Sequence, residues 1–458
     1  MRIHLLLILM SCCTVLAKAQ LDFQRSLSYS FDAVMANPAL LQDHGASIRI
    51  GSVRFSAVSS FKLNDIGTES NGDFLLQGSR LAANAPETME VSAGYDIATL
   101  GFNIRKDRFQ FGAHHAIRFE SSATVNRQLA LVLAQGNQAS AGVVIPVLPQ
   151  GEQISYHEIG FHYGIHINQK FAIGGRVKVL SGSATAQINS ASGTITTDPN
   201  GFAIDYNLSI EAQSAGYNFD LTAEDFTVAI QPFTLNKGFG GAVDLGIVYR
   251  PSRKLEFSLA ATDLGAIRWS TDAKLHTANG QGTYAGVVGN VFDTSFSFNI
   301  ENSLDELQDQ ANLSSMDESF TMGLAPKLQG HIRYRLSDAT DLTFAAQSTS
   351  QNGNDGIQSG ASVGIGQHFG DFLHVGGILG TNQGEFIFGA RASVMLLGVK
   401  VFAAADHLPT ITDLYDSQSA HLRVGLSLNF NRIKLEGKRY GWFDDEYSTG
   451  RTTPDNFL

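Results

Sequence analysis

The sequence predicts an all-β protein, a transmembrane antiparallel β-barrel with an N-terminal plug segment. Three observations predict this fold: long runs in which apolar and polar residues alternate, an apolar leader at the N-terminus, and connections that are short and long in turn. An alternation with a period of two residues suits a β-strand, because its side chains point to opposite faces in turn. A helix is excluded for these runs, because its faces repeat about every 3.6 residues.

The first segment, residues 1–19, has the organisation of a secretory signal peptide. A positive charge at Arg2 precedes an apolar run from Leu5, and the small residues Ala17 and Ala19 follow. This order predicts cleavage after Ala19. The run is too short for a membrane-spanning helix, which needs about 20 apolar residues.

The amino-acid composition excludes some classes of function. Charged residues make up 16% of the chain, against about 25% in soluble proteins. The formal net charge of −11 argues against nucleic-acid binding, which needs basic patches. Both cysteines, Cys12 and Cys13, lie in the leader, so neither disulfide nor thiolate chemistry is expected after cleavage. A lipoprotein signal ending at Cys12 is an alternative that Met10 fits poorly.

The alternating runs are long enough to cross a bilayer. In RFQFGAHHAIRFE, Arg108–Glu120, apolar side chains hold most odd positions and polar or small ones the even positions. Similar runs start at Tyr156, Phe171, Val243 and Leu422. A tilted strand needs about 9–11 residues to span the membrane, and no segment after the leader has the length and hydropathy of a spanning helix. A secreted β-sandwich or propeller, which also alternates, is the alternative.

The strand count follows from these runs and their connections. We expect strands near 46–60, 91–105, 108–122, 154–167, 171–187, 239–250, 254–266, 319–337, 340–350, 358–369, 372–381, 384–395, 397–406 and 419–431, which is about 14. Short connections occur at 106–107, 168–170, 251–253, 337–339 and 370–371, and longer ones at 61–90, 123–153, 188–238, 267–318 and 407–418. Two connections in the second series, 351–357 and 382–383, are short. Such asymmetry is typical of periplasmic turns and extracellular loops.

The chain therefore divides into a signal peptide at 1–19, a plug at 20–45, a barrel at 46–431 and a periplasmic tail at 432–458. Residues 202–234 are predicted to form a surface excursion; a further membrane hairpin there would raise the count to about 16. The acidic segment 301–312 is expected to form a short helix in a long loop.

Two stretches resemble known barrel families. SYSFDAVMANPALLQDHGASIRIG (Ser28–Gly51) contains Asn37-Pro38-Ala39 just before the first strand. It resembles the N-terminal motif of FadL-type hydrophobic-compound channels and of PorV-type barrels of type IX secretion. GFGGAVDLGIVYRPSRKLEFSLAATDLGAIRW (Gly238–Trp269) resembles an uncharacterised outer-membrane barrel family, a domain of unknown function, from Bacteroidetes-type bacteria. The resemblance implies the outer membrane of a Gram-negative bacterium.

The same resemblance implies that the N-terminal segment folds into the lumen as a hatch. Asn37 would hydrogen-bond polar groups of the lumen, Pro38 would stiffen the turn, and Ala39 would allow close packing. A simple turn into the first strand, with no gating role, is the alternative. The residues predicted to line the lumen lie on the polar faces of the strands: His114, Arg118, Glu120, His162, His166, Arg176, Lys178, Asp244 and Arg391.

No catalytic, cofactor or metal site is predicted. His162 and His166 lie about 13–14 Å apart along one strand, too far to share a metal, so lumen-lining histidines are the preferred interpretation. NGNDG at 352–356 is interpreted as a surface turn, with a weak calcium site as the alternative. No zinc-type HExxH string occurs, and we predict that the protein is not an enzyme.

Three function classes remain open. The preferred hypothesis is uptake or export of small hydrophobic molecules through a plugged barrel. The second is a protein-binding barrel that serves secretion or surface attachment through a rim made by 188–238 and 267–318. The third is a general porin. The expected partners are outer-membrane lipid and either a hydrophobic small molecule or an envelope or secreted protein.

Overall fold

A computed structural model of the chain describes residues 31–42, 44–70, 73–200, 203–217, 235–284, 312–351, 354–370, 372–382 and 385–432. The predicted signal peptide, the first part of the predicted plug (20–30), almost all of the loop helix at 301–312 and the tail beyond 432 lie outside these residues.

The strands of the described residues are β1 (His44–Ser59), β2 (Gly67–Ser70), β3 (Asp73–Leu76), β4 (Thr88–Lys106), β5 (Phe109–Asn126), β6 (Val144–Pro146), β7 (Gln150–His166), β8 (Phe171–Thr197), β9 (Ile204–Ala215), β10 (Gly238–Tyr249), β11 (Leu255–Trp269), β12 (Ala273–Tyr284), β13 (Ser314–Asp317), β14 (Phe320–Gly323), β15 (Lys327–Arg335), β16 (Thr340–Gln351), β17 (Asn354–Phe369), β18 (Leu373–Asn382), β19 (Glu385–Leu396), β20 (Val399–Ala405) and β21 (Ser419–Arg432). The α-helices are short: α1 (Phe31–Ala36), α2 (Leu63–Ile66), α3 (Gly78–Asn84), α4 (Arg127–Gln135) and α5 (Pro409–Thr412).

The wall is a closed antiparallel barrel of 14 strands. Its order is β1, β4, β5, β7, β8, β10, β11, β14 with β15, and then β16 to β21. β14 and β15 form one wall strand, because both pair with β11. β21 closes the ring on β1, from His44 opposite Arg432 to Val58 opposite Ser419. The predicted fold class and strand number are confirmed.

The alternation in the sequence separates an outer from an inner face. Along β10, Val243, Leu245 and Ile247 are exposed, and the residues between them are buried. Other outward side chains are also exposed, such as Phe161 at 57% and Val177 at 59%. Exposure of so many large apolar residues would be costly in water, so the outer face suits hydrocarbon. No helix within the described residues is long and apolar enough to span a membrane.

The connections differ between the two ends of the barrel. One end, the turn end, carries the tight connections after β4, β7, β10, β15, β17 and β19. The other, the loop end, carries the long connections, together with the two short ones from β16 to β17 and from β18 to β19. β8 continues ten residues beyond its predicted end at 187, and with β9, β12 and β13 it forms a sheet that extends past the wall. Residues 204–215 therefore belong to this extension, as the predicted surface excursion requires, and add no wall strand.

Small elements close over part of the loop end. The hairpin β2–β3 and helices α2, α3 and α4 pack around a cluster that includes Phe61, Leu81 and Met89. Lys62 forms an ion pair of 3.0 Å with Asp416, and this contact raises the pKa of Lys62. The first and last long loops are therefore in contact.

Inward residues of β8 define layers across the interior. Ala172 and Gly174 lie nearest the turn end, Arg176 and Lys178 follow, and then come Leu180 and Gly182. Leu180 belongs to a buried apolar cluster with Ile154, Tyr156, Ala215, Ala242, Ile267, Trp269, Ala273, Phe320, Met322 and Leu324. The interior is thus charged at mid-height and apolar towards the loop end.

The apolar layer predicts a sharp effect at Gly182. A Cβ atom there would overlap the indole ring of Trp269, which is fully buried. We expect Gly182→Ala to destabilise the barrel by about 1–3 kcal/mol, the usual cost of overpacking. Denaturant unfolding in micelles measures it. Gly175→Ala on the same strand, whose nearest contact would be at 3.7 Å, is the matched control, and equal midpoints for the two variants would contradict the packing described here.

Candidate functional site inside the barrel

The N-terminal segment 31–42 lies inside the barrel. Every one of its residues is buried, although the segment is only a helix of two turns followed by irregular chain. A helix this short has little stability alone, so its position depends on contacts with the wall.

Three glycines on neighbouring strands make room for the segment. Gly164 lies opposite Gly174, and Gly174 lies opposite Gly246, so the three form one row across β7, β8 and β10. Cβ atoms on Gly174 and Gly246 would overlap Pro38 and Asn37, respectively. We call Gly164, Gly174 and Gly246 the glycine row. Its lack of side chains lets the backbone of the segment approach the wall closely.

The predicted hatch residues make the contacts at this row. The Nδ2 atom of Asn37 donates to Ser258 Oγ at 2.7 Å and lies 3.2 Å from the carbonyl oxygens of Ile247 and Leu259. Its Oδ1 accepts from the backbone N–H of Ala39 at 2.8 Å. Ala39 is fully buried and packs with Leu40, Ala172 and Val248. All polar atoms of the Asn37 side chain are thus satisfied, as burial demands.

Wall side chains hold the segment at the end of α1 and at its C-terminal end. Arg176 donates to the carbonyl oxygens of Val34 and Met35 at the end of α1, where a cation is favoured. At the other end, Gln110 accepts from the backbone N–H of Gln42 at 2.8 Å. Arg105 donates to the Gln42 carbonyl oxygen at 2.6 Å. The segment is therefore fixed at several points by backbone hydrogen bonds.

On the loop-end side of the segment lies a network of charged side chains, which we call the central ion network. Its members are Arg118, Glu120, Glu158, Arg176, Lys178, Asp244, Asp263 and Lys327. Within it, Arg176 pairs with Asp244 at 2.6 Å, Lys178 with Asp263 at 2.6 Å and with Asp244 at 2.9 Å. Arg118 pairs with Glu158 at 2.9 Å. Four cations face four carboxylates, so buried charge is compensated within the group.

One pair of the network crosses the interior. Lys327 on β15 contacts Glu120 on β5 at 2.8 Å, and four wall strands lie between β5 and β15. Lys327 also lies 3.6 Å from Asp263. The network therefore joins distant parts of the wall and fills the middle of the barrel.

A β-bulge places Asp263 in this network. Between β10 and β11 the register shifts at Val243/Leu245, so Thr262 and Asp263 both lie opposite Asp244. Asp263 has a positive φ of 62°, and its N–H donates to Asp244 Oδ1 at 2.8 Å. Regular alternation with the exposed Leu259 would point Asp263 outward. The bulge turns its carboxylate inward instead, a common use of bulges.

The other predicted lumen-lining residues occupy separate places on the inner face. His114 contacts Glu158 at 2.7 Å, and His162 contacts Asn103 at 3.0 Å. His166 is buried nearer the turn end. Arg391 lies across the barrel, with its Nη2 at 3.0 Å from Nε2 of His374. The three predicted histidines do not converge, and the described residues contain no cluster of three or more metal-ligating side chains.

Sequence reasoning missed several of these residues. The sequence pattern does not identify Lys327 and Asp263 as residues of the barrel interior. For Asp263 a signal exists, because the alternation is broken in AATDLG, as is typical of a bulge. The row of glycines was visible only once strand register was known. GASVG (Gly360–Gly364) has the spacing of a GxSxG nucleophile elbow, but it lies within β17, whereas that elbow needs a strand-to-helix turn.

The central ion network predicts unequal costs for two similar aspartates. Asp263 and Asp272 both have positive φ and pair with lysine, but only Asp263 is buried. We expect Asp263→Ala to lower the free energy of unfolding by about 3–5 kcal/mol, because it leaves buried cations uncompensated. The control Asp272→Ala should cost less than about 1 kcal/mol. Denaturant titration in micelles compares them, and a small, equal cost would argue against a buried network.

Comparisons with known proteins concern family and architecture. A model described as "Family of unknown function (DUF5723)" matches residues 38–406. No curated protein matches the sequence. The Ralstonia pickettii toluene transporter TbuX is similar in structure with a TM-score of 0.45 and 11% identity, over 88% of this chain and 94% of that one. A Pseudomonas aeruginosa FadL homologue gives a TM-score of 0.45 and 11% identity, over 87% and 93% of the two chains. The translocator domain of NalP from Neisseria meningitidis gives 0.28 and 10%, over 84% and 88%.

Proposed function

Since the chain belongs to the DUF5723 family, whose function is unknown, we propose a function from its own geometry. We propose that it is an outer-membrane channel, closed by its N-terminal segment, through which small hydrophobic molecules pass. The observation that carries this proposal is the segment 31–42, which occupies the interior on a row of glycines.

The construction of the segment supports a removable hatch. It is continuous with β1 and contacts the wall through side-chain packing and through hydrogen bonds, whose net free energy is about 1 kcal/mol each. Its apolar contacts, around Ala39 and Leu40, are with small wall residues. Such a segment is easier to displace than a wall strand, because it leaves the strand ladder intact when it moves.

The interior also supports an apolar cargo. Towards the loop end it is lined by the Trp269, Phe320 and Met322 side chains rather than by charge. On its way through the barrel from this end, a hydrophobic molecule would reach this apolar cluster before the central ion network and the segment. Displacement of this closure is the step that passage requires.

A protein-binding function is the second candidate, and one observation favours it. The sheet of β8, β9, β12 and β13 projects past the wall at the loop end, where it presents exposed polar side chains. A PorV-like barrel for secretion or surface attachment, as in Bacteroidetes-type bacteria, would use such a rim. A general porin is less well supported, since it needs an open charged constriction and the charges of the central ion network are paired.

The molecules that stay bound to the purified protein distinguish the channel for hydrophobic molecules from the protein-binding barrel. The mature chain, with Gln20 as its expected first residue, would be purified in mild detergent and examined by mass spectrometry. We expect a bound lipid-like or other apolar small molecule. A stoichiometric polypeptide with no such molecule would instead favour the protein-binding barrel.

Conductance tests the hatch. We expect Gly246→Ala to raise conductance in planar bilayers, because its Cβ would overlap Asn37 and displace the segment. Gly241→Ala on the same strand, with its nearest contact at 3.4 Å, is the matched control and should conduct as wild type does. Deletion of residues 20–45 should raise conductance further. If neither Gly246→Ala nor the deletion changes conductance, the hatch proposal is wrong.

A further inference from the structure

A second interior site lies on the wall opposite the central ion network. A small cavity opens between α1 and the inner face of β18 to β21. Arg391, Lys400 and Arg423 line it, together with His374, and Asp32 of α1 supplies a carboxylate on the facing side. Three cations thus surround the cavity against one carboxylate.

The strand register explains how the cations are arranged. Arg391 lies opposite Ala404, and Ala404 lies opposite Arg423, so the two arginines flank an alanine across β19, β20 and β21. Two strand spacings separate them, or about 10 Å. The small side chain of Ala404 leaves the space between the guanidinium groups open.

The hydrogen bonding of Arg391, one of the cations of the cavity, is incomplete. Its Nη2 lies 3.0 Å from Nε2 of His374, a neutral acceptor when it receives this N–H. Its Nη1 is buried without a hydrogen-bond partner, and no carboxylate pairs with Arg391 among the residues that the structure describes. A buried guanidinium beside a cavity with no anionic partner is unfavourable unless an anion completes it.

The other charged groups of the cavity leave this position open. Asp32 faces Arg49, with 3.7 Å between Oδ1 and Nη2. Arg423 lies 3.9 Å from Asp96. Lys400 adds a further positive charge on β20. The local field therefore favours a negatively charged group next to Arg391.

From this geometry we propose that the cavity is an oxyanion-binding site, in which Arg391 donates to a phosphate-type or carboxylate-type group. The group comes either from a free small anion or from the head of an amphiphile whose tail lies in the apolar part of the interior. Planar guanidinium groups suit such oxyanions, because they offer paired N–H donors. The site depends on the cavity and its cations and stands whether or not the barrel transports hydrophobic molecules.

Isothermal titration calorimetry tests the site, with the mature protein in neutral detergent and an oxyanion-free buffer. The probes are inorganic phosphate and dodecyl phosphate. We expect saturable binding of at least one probe, and Arg391→Gln should weaken it by about tenfold or more, the usual effect of losing a charge-assisted hydrogen bond. Arg253→Gln, in an exposed turn, removes the same charge elsewhere and should leave binding unchanged.

A second variant separates anion binding from charge alone. Ala404→Leu keeps every cation and fills the space between the arginines, so it should also weaken binding about tenfold. Val401→Leu, on the exposed face of β20, is its control. Binding of inorganic phosphate identifies a free anion as sufficient, and binding of dodecyl phosphate alone identifies an amphiphile head. The proposal is wrong if neither probe binds saturably, or if binding is unchanged in both Arg391→Gln and Ala404→Leu.

Discussion

The closed strand ladder is the constraint on which the rest of the structure depends. Once β21 pairs with β1, no wall strand has a free edge, and every second side chain of every strand must point into a confined interior. That interior is filled in layers: the N-terminal segment on the glycine row, the central ion network above it, and an apolar cluster around Trp269. In the central ion network, four cations face four carboxylates, so the buried charge of that layer is compensated within it.

The fold could be predicted from the sequence because successive side chains of a strand point to opposite faces, and apolar and polar residues alternate accordingly. The alternation around Phe111, Phe161 and Leu245 located the wall strands, and the connection lengths located the turn end. The extension of β8 to Thr197 was not predicted, because beyond the bilayer both faces of a strand meet water and the alternation disappears. The division of one wall strand into β14 and β15 at Leu324–Pro326 depends on pairing with β11, which the pattern does not contain.

The candidate site was only partly predictable, for a similar reason. Residues such as Arg176 and Asp244 stand at regular inward positions, so their polar character marked them. Asp263 stands at an outward position and reaches the interior through a bulge, and the glycine row exists only in the registers of β7, β8 and β10. Long-range pairings such as Lys327 with Glu120 depend on the closure of the wall, which local sequence does not encode. The predicted contacts of Asn37 followed from a family resemblance rather than from its own neighbourhood.

The barrel described here requires an outer face of the wall that contacts hydrocarbon and an inner face that packs against a filled interior. Both cysteines precede residue 20, so single cysteines can be placed along β10 in a chain expressed from residue 20, which is otherwise free of cysteine. Nitroxide labels at the outward positions Val243, Leu245, Ile247 and Tyr249 in bilayers would report accessibility to molecular oxygen, which concentrates in lipid, and to a polar nickel chelate, with a label at Arg253 in the exposed turn as the reference. We expect the four labels on β10 to be accessible to oxygen and shielded from the nickel chelate, and the label at Arg253 to be reached by the chelate. Equal access of the nickel chelate to all positions would contradict an outer face in hydrocarbon.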